Sequence, residues 1–170
     1  MKITTRQLAL CAVLTALALG LSTLENLFPV TLVIPLPGVK LGLANIVTVF
    51  ALYQLGPLPA LCILAARCLL GSLFAGNASA LLFSLLGGTL AMLAMLARCR
   101  LPGLSVYGVS SGGAAAQNIG QMAAALITLG NTAVLGYLPF LLAVSLFTGA
   151  LTGFVSALLL RTISHVKLSH

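Results

Sequence analysis

Long apolar runs, broken by short stretches rich in proline, glycine and charge, constrain this chain more than any other feature. Charged residues make up 5% of its 170 residues, against about a quarter in an ordinary soluble domain. Inside a bilayer every backbone N–H and C=O group needs a partner within the protein, which leaves helices or a closed barrel. Because the runs lack the alternating pattern of barrel strands, we expect membrane-spanning helices.

The apolar runs divide the chain into six candidate spans. A spanning helix needs about 20 apolar residues, so the chain has room for one bundle and for no soluble domain. The second run is short, because Pro35, Pro37 and Gly38 in the segment before it disfavour a helix. We predict an all-α integral membrane protein with a single transmembrane domain, residues 1–170, and spans at 7–28, 41–55, 58–74, 78–97, 109–130 and 137–160.

The positions of the basic residues predict the orientation of the chain. Six crossings place the basic residues near the span ends on one side, which should be cytoplasmic; they are Lys2, Arg6, Arg98, Arg100, Arg161 and Lys167. We therefore expect a multi-pass protein of the cell membrane, in contact with lipid, with both termini in the cytoplasm. The net charge of +7 does not indicate nucleic acid, because the basic residues are scattered.

Arg67, near the middle of the third span, is the clearest polar residue at membrane depth. A charge there costs about 2.5 to 3.5 kcal/mol on insertion scales. One hypothesis is an anion site or a gate residue, and the other is a structural brace that pairs with Glu25 or with helix-end carbonyl groups. Glu25 is the only acidic residue in the chain. Together with Lys40 and Asn45, it is placed to converge on an outward-facing cavity.

The fifth span carries the strongest polar cluster, which is made of Gln117, Asn118 and Gln121. Helical geometry places Gln117 and Gln121 on one face with Asn118 alongside. Amides that face lipid are hard to tolerate, so all three should point into the bundle. There they either join helices or line a site for a polar ligand. We favour the ligand site, because helix packing rarely needs three amides so close together.

Small residues recur along the first span as Ala12, Ala16 and Gly20. Their spacing of four leaves one stripe of the helix almost without side-chain bulk, so that another helix can approach closely. That neighbour is either a helix of the same chain or a separate membrane protein.

The residues that phosphate chemistry needs are missing. The chain has no aspartate, and Glu25 alone cannot hold Mg²⁺ against a diphosphate. No glycine-rich phosphate loop with lysine is present, and both histidines, His165 and His170, follow the last span, which leaves no buried acid and base pair. The four cysteines have no metal-ligand spacing. We expect no enzymatic activity, no metal and no cofactor.

Several stretches of the chain resemble a known family. The first runs from Glu25 to Pro29 and continues from Ile34 to Thr48, including Pro-Gly-Val-Lys-Leu-Gly-Leu-Ala-Asn. Others are Ala66–Gly76, Phe83–Gly88 and Val109–Gln121. Together they resemble the heptaprenyl diphosphate synthase component I family, also called the Gx transporter family. That family is in turn similar to the substrate-binding S components of energy-coupling factor transporters, which are six-helix bundles with both ends in the cytoplasm.

The resemblance implies roles for particular residues. The segment between the first two spans would act as an outer gate over the ligand, with Glu25, Pro35, Pro37, Gly38 and Lys40. The stripe of Ala12, Ala16 and Gly20 would face a transmembrane partner subunit driven by two ATPases. One departure is Gln117-Asn118, where a His-Asn pair is common in the family. This leaves the role of position 117 open.

We therefore predict a membrane-embedded, substrate-binding subunit of a small-molecule uptake transporter. The ligand would contact Asn45, Arg67, Gln117, Asn118 and Gln121. The alternative is a non-catalytic membrane accessory of isoprenoid or quinone synthesis, such as heptaprenyl diphosphate synthesis, or of a membrane redox complex.

Overall fold

The chain forms six α-helices, as the sequence predicts. The computed structural model describes residues 5–27, 40, 42–99 and 105–168, and this part of the chain contains no β-strand. The helices are α1 (Thr5–Leu27), α2 (Asn45–Gln54), α3 (Pro57–Ala75), α4 (Ala78–Cys99), α5 (Val106–Leu129) and α6 (Leu138–Leu168). A 3-10 helix, Thr132–Tyr137, precedes α6. The all-α prediction is therefore confirmed.

Within the described residues, four segments are long and apolar enough to cross a membrane, and they correspond to α1, α3, α4 and the 3-10 helix with α6. Helix α2 has ten residues, a length of about 15 Å, which is shorter than the hydrocarbon core of a bilayer. Helix α5 has 24 residues, but its amide and serine side chains lower its hydropathy. Six complete crossings therefore stay a prediction.

Two helix boundaries differ from the expected ones by four residues or more. Helix α2 begins at Asn45 instead of residue 41, because the preceding residues form a turn in which Asn45 N donates to Gly42 O (2.9 Å) and Ile46 N to Leu43 O (3.0 Å). Helix α6 continues to Leu168 instead of ending at residue 160. Polar residues interrupt the apolar run there, but nothing in the local sequence breaks the helix.

The two tight turns around α3 are present. Gly56 (φ 91°) precedes α3, whose first residue is Pro57, and Gly76 (φ 60°) ends it in the left-handed region, where only glycine is relaxed. Asn77 then caps α4, because its Oδ1 accepts hydrogen bonds from the backbone N (3.0 Å) and the Oγ (2.8 Å) of Ser79. This is the turn role that its position indicates.

Helix α5 packs closely between α4 and α6. Small residues make this possible: Gly149 of α6 lies against the backbone of Ser111, and Gly120 of α5 lies against the backbone of α4. The Oγ of Ser110 and the Oγ1 of Thr152 are 2.6 Å apart and share a hydrogen bond between α5 and α6. Glycine pairs in the last helix therefore serve internal packing.

Helix α2 is the most enclosed element, with its residues from Asn45 to Leu52 all buried. It packs against α1, α3, α5 and α6. The outer surface, in contrast, is apolar: Leu73, Phe74 and Phe147 expose 75%, 76% and 79% of their surface. An apolar exterior around a partly polar interior is what a lipid environment favours.

We expect Gly120→Ala to destabilise the protein, although alanine is the better helix former by about 1 kcal/mol. A Cβ atom on Gly120 would lie 2.7 Å from the carbonyl carbon of Leu86 and 2.8 Å from Cα of Gly87, and neither backbone atom can move without separating α4 from α5. Overpacking of this kind costs about 1 to 3 kcal/mol. Thermal unfolding in detergent measures it.

Gly20→Ala is the matched control, because a Cβ atom on Gly20 would meet nothing within 4 Å. The thermal unfolding midpoint of Gly20→Ala should equal or exceed that of the wild type. Equal midpoints for Gly120→Ala and Gly20→Ala would contradict the close α4–α5 contact.

Candidate functional site

A small polar cavity lies where the end of α1 and the start of α2 meet α3, α4 and α5. Its volume is about 30 Å³, which accommodates about two water molecules. Larger hollows of about 230 and 450 Å³ are grooves with almost wholly apolar linings. The cavity is lined by Ser22, Glu25, Lys40, Gly42, Arg67, Cys68, Gly71, Phe83, Ser84, Gly88, Gln117 and Gln121.

The amides at the cavity are joined across helices. Asn45, the first residue of α2, donates from Nδ2 to Oε1 of Gln117 in the middle of α5 at 2.5 Å. One turn further along α5, Oε1 of Gln121 accepts a hydrogen bond from the backbone N of Lys40 at 3.3 Å. All three amides are buried. The structure thus brings Asn45, Gln117 and Gln121 together. Gln117 and Gln121 lie on one face of α5, as their four-residue spacing predicts.

Arg67 reaches the same network from α3. Its Nη2 donates to Oδ1 of Asn45 at 3.5 Å, a long hydrogen bond. Its Nε is buried and has no hydrogen-bond partner within the described residues. No ion pair joins Arg67 to Glu25 in this part of the chain, so the brace between these two residues is not formed. Arg67 therefore contributes a guanidinium that the described protein groups satisfy only in part.

Glu25 bonds to backbone N–H groups, whereas its charge suggests a basic side chain as its partner. Its Oε1 accepts hydrogen bonds from the backbone N of Gly42 and from that of Leu43, the latter at 2.9 Å. The carboxylate is buried and ties the end of α1 to the turn that starts α2. A carboxylate held by two backbone N–H groups is a structural anchor.

Lys40 lies at the edge of the cavity, outside the helices. Burial lowers the pKa of Lys40 below its ordinary value, the negative charge of Glu25 opposes this, and the positive charge of Arg67 adds to the lowering. Its ammonium group consequently loses a proton more readily than that of a free lysine.

The structure does not bring Asn118 to the cavity. Its Nδ2 donates to the backbone O of Leu141 at 2.7 Å, so it joins α5 to α6 on another face of the helix. A residue next to Gln117 lies about 100° around the helix from it, which explains the separation. The other gate positions, Pro35, Pro37 and Gly38, lie outside the described residues.

The stripe of Ala12, Ala16 and Gly20 is on the outer surface. All three residues are exposed, and Ala16 and Gly20 line a groove of about 450 Å³ with Val13, Leu17, Leu21 and Leu24. No helix of the described chain fills this groove. Internal packing, one of the two explanations for the stripe, is therefore not seen among the described residues.

Two glycines of α4, Gly87 and Gly88, lie beside the cavity side chains, and sequence reasoning did not select them as site residues. A Cβ atom on Gly88 would lie 3.7 Å from Nη2 of Arg67, and one on Gly87 would lie 3.1 Å from Cγ of Gln121 and 3.3 Å from Cγ of Gln117. The pair thus makes room for the cavity side chains. The available signal was a glycine pair in the middle of a helical span, where glycine is unfavourable unless something packs against it.

Fold and site together define a membrane-embedded helical protein with a polar cavity inside the bundle. The family model for heptaprenyl diphosphate synthase component I matches residues 14–159, and the chain belongs to this family. The match includes every residue that lines the cavity. Comparison with curated proteins and comparison with solved structures each gave no match.

Glu25→Ala should destabilise the protein by about 1 to 3 kcal/mol, because the backbone N–H groups of Gly42 and Leu43 would be left buried without an acceptor. Glu25→Gln retains an oxygen acceptor and should lose clearly less. Thermal unfolding of both variants separates the two effects. Equal losses would mean that the charge, and not the hydrogen bonds to the turn, makes Glu25 necessary.

Proposed function

We propose that this chain is the substrate-binding subunit of a small-molecule uptake transporter, of the S-component kind, in the cell membrane with both termini cytoplasmic. One observation carries the proposal: Arg67 of α3 and Gln117 and Gln121 of α5 line one internal cavity. Asn45 of α2 bonds to Arg67 and Gln117 beside it. Polar groups at membrane depth are expensive and typically mark substrate pathways. A bundle that needed them only for packing would satisfy all of their hydrogen bonds.

The geometry supports binding better than catalysis. The single carboxylate, Glu25, is occupied by the backbone N–H groups of the turn before α2, so it is poorly placed to move a proton or hold a metal ion. Within the described residues, no three His, Cys, Asp or Glu side chains come together as metal ligands. The remaining cavity groups are amides and cations, which recognise a ligand by hydrogen bonding and charge.

The exposed stripe on α1 is the proposed docking surface for a transmembrane partner with two ATPases. Ala16 and Gly20 leave a groove on the outer face of α1, and small residues allow two membrane helices to approach closely. The groove and the cavity use different sides of α1, since Ser22 and Glu25 face the cavity. Substrate binding and partner docking thus use different sides of α1 and do not compete.

The family description favours a second candidate function. A chain that belongs to the heptaprenyl diphosphate synthase component I family is a candidate for a non-catalytic accessory of isoprenoid or quinone synthesis, whose partner would be a soluble synthase. A membrane redox complex is a further possible setting. The two functions differ in the partner: a synthase that gains activity on addition of this chain supports the accessory, and a membrane subunit with ATPases supports the transporter.

Gln117→Leu should weaken ligand retention. Native mass spectrometry of the wild type purified from its own membrane tests for a small molecule that stays bound. Loss of one buried hydrogen bond of about 1 to 3 kcal/mol weakens binding about fivefold to more than a hundredfold. Asn118→Leu is the control, because Asn118 bonds to Leu141 away from the cavity; it should lower stability and keep the molecule. Retention by Gln117→Leu would argue against this cavity as the site.

Ala16→Leu should break the contact with the partner and leave the isolated protein folded. The added side chain fills the groove on α1, where close approach depends on small residues. Ala150→Leu is the matched control, because Ala150 is also exposed but lies on α6, outside the groove. Copurification of a membrane subunit with two ATPases, with the thermal midpoint as a folding check, measures the effect. Equal recovery with both variants would remove the α1 groove as the docking surface.

A further inference from the structure

The hydrogen bonds that join Arg67, Asn45 and Gln117 at the cavity have a fixed donor-to-acceptor direction. Arginine has donors only, so the amide oxygen of Asn45 must face Arg67. The Nδ2 group of Asn45 therefore faces Gln117 and donates to its Oε1. Because that oxygen is engaged, Gln117 has its Nε2 group, a donor, left for a ligand.

Gln121 is oriented in the same way by the backbone. The group that approaches it is the N–H of Lys40, which is a donor, so the atom facing Lys40 must be Oε1. Its Nε2 group forms no hydrogen bond within the described residues and is likewise left as a donor. Two amide groups four residues apart on α5 thus offer N–H groups to the cavity, while their oxygens are occupied.

Arg67 adds an unsatisfied donor and a charge. Its Nε has no partner within the described residues, and a buried donor without a partner is destabilising. The chain has a single acidic residue, and that residue, Glu25, already accepts two backbone hydrogen bonds. Since Lys40 also lines the cavity, two cations face one carboxylate, and no other acidic side chain exists to balance them.

We propose that the ligand carries an anionic oxygen group, a carboxylate or a phosphate, which binds between the Arg67 guanidinium and the Nε2 groups of Gln117 and Gln121. This inference rests on the proposed binding function and names the class of its substrate. Guanidinium groups bind carboxylate and phosphate through paired hydrogen bonds. Water can satisfy a donor, but it cannot neutralise the uncompensated charge.

The size of the cavity limits which part of the ligand it holds. A volume of about 30 Å³ suits a small head group and excludes the body of a larger molecule, for which the cavity must widen. The head group alone is therefore the appropriate probe. Acetate supplies the carboxylate, inorganic phosphate supplies a free phosphate, and phosphatidylglycerol in mixed micelles supplies a phosphate on a lipid.

The test is thermal unfolding of the full chain in neutral detergent with each of the three probes, against sodium chloride at the same ionic strength. We expect at least one probe to raise the wild-type midpoint above the chloride control, and the probe that does so distinguishes carboxylate, free phosphate and lipid phosphate. Arg67→Gln should weaken that probe at least tenfold. Arg161→Gln, an exposed arginine on α6, should bind it as the wild type does.

The unliganded variants give an independent readout. Arg67→Gln removes one of the two positive charges that face the single carboxylate, so the thermal midpoint of this variant without any probe should equal or exceed that of the wild type. A structural brace predicts a fall. If Arg67→Gln does not fold, Arg67→Lys, which keeps the charge and loses the planar fork, should bind the probe more weakly than the wild type.

Three results would overturn the inference. The first is that no probe exceeds the chloride control, the second is that Arg67→Gln keeps the full stabilisation, and the third is that the small molecule retained in native mass spectrometry is neutral. The third result leaves the binding function intact and rejects only the anionic class. Absence of any retained molecule together with absence of any probe effect rejects both.

Discussion

The hydrogen bond between Asn45 and Gln117 is the interaction on which the rest of the interior depends. It joins the first residue of α2 to the middle of α5, and the same Asn45 side chain accepts from Arg67 of α3. An amide left unpaired among apolar helices is costly, so the relative position of the three helices follows from pairing these groups. Helix α2 is too short to span the bilayer alone, and its place is set by its neighbours.

The two sides of the bundle are held together differently. On the side of α4, α5 and α6, glycine and serine residues let backbones approach, and hydroxyl groups such as Ser110 and Thr152 bond across the contact. On the side of α1, α2 and α3, polar contacts around the cavity join the helices, and Glu25 holds the turn before α2. Gln117 and Gln121 of α5 connect the two sides, because they accept hydrogen bonds from Asn45 and from the backbone N of Lys40.

The helices and the inward face of α5 were predictable because both follow from periodicity and from the cost of polar groups in lipid. The spacing of Gln117 and Gln121 sufficed to place them on one face. The hydrogen-bond partner of a side chain was not predictable where that partner is a backbone group. Glu25 accepts from the N–H groups of Gly42 and Leu43, and Asn118 donates to a carbonyl oxygen. Every residue carries such groups, so no residue type marks them in the sequence.

The charge around the cavity limits how a ligand can act on the conformation of the protein. A ligand shifts an equilibrium between two states only by its differential affinity for them. The cavity of about 30 Å³ admits only a small group, so part of the energy that an anion gains at Arg67 must offset the widening that a larger molecule requires. Two basic side chains and one carboxylate at the cavity leave a surplus of positive charge, which is costly where it is shielded from water. Under the proposed binding function, the charge that attracts an anion is therefore also a cost to the protein, so that ligand binding should stabilise the fold.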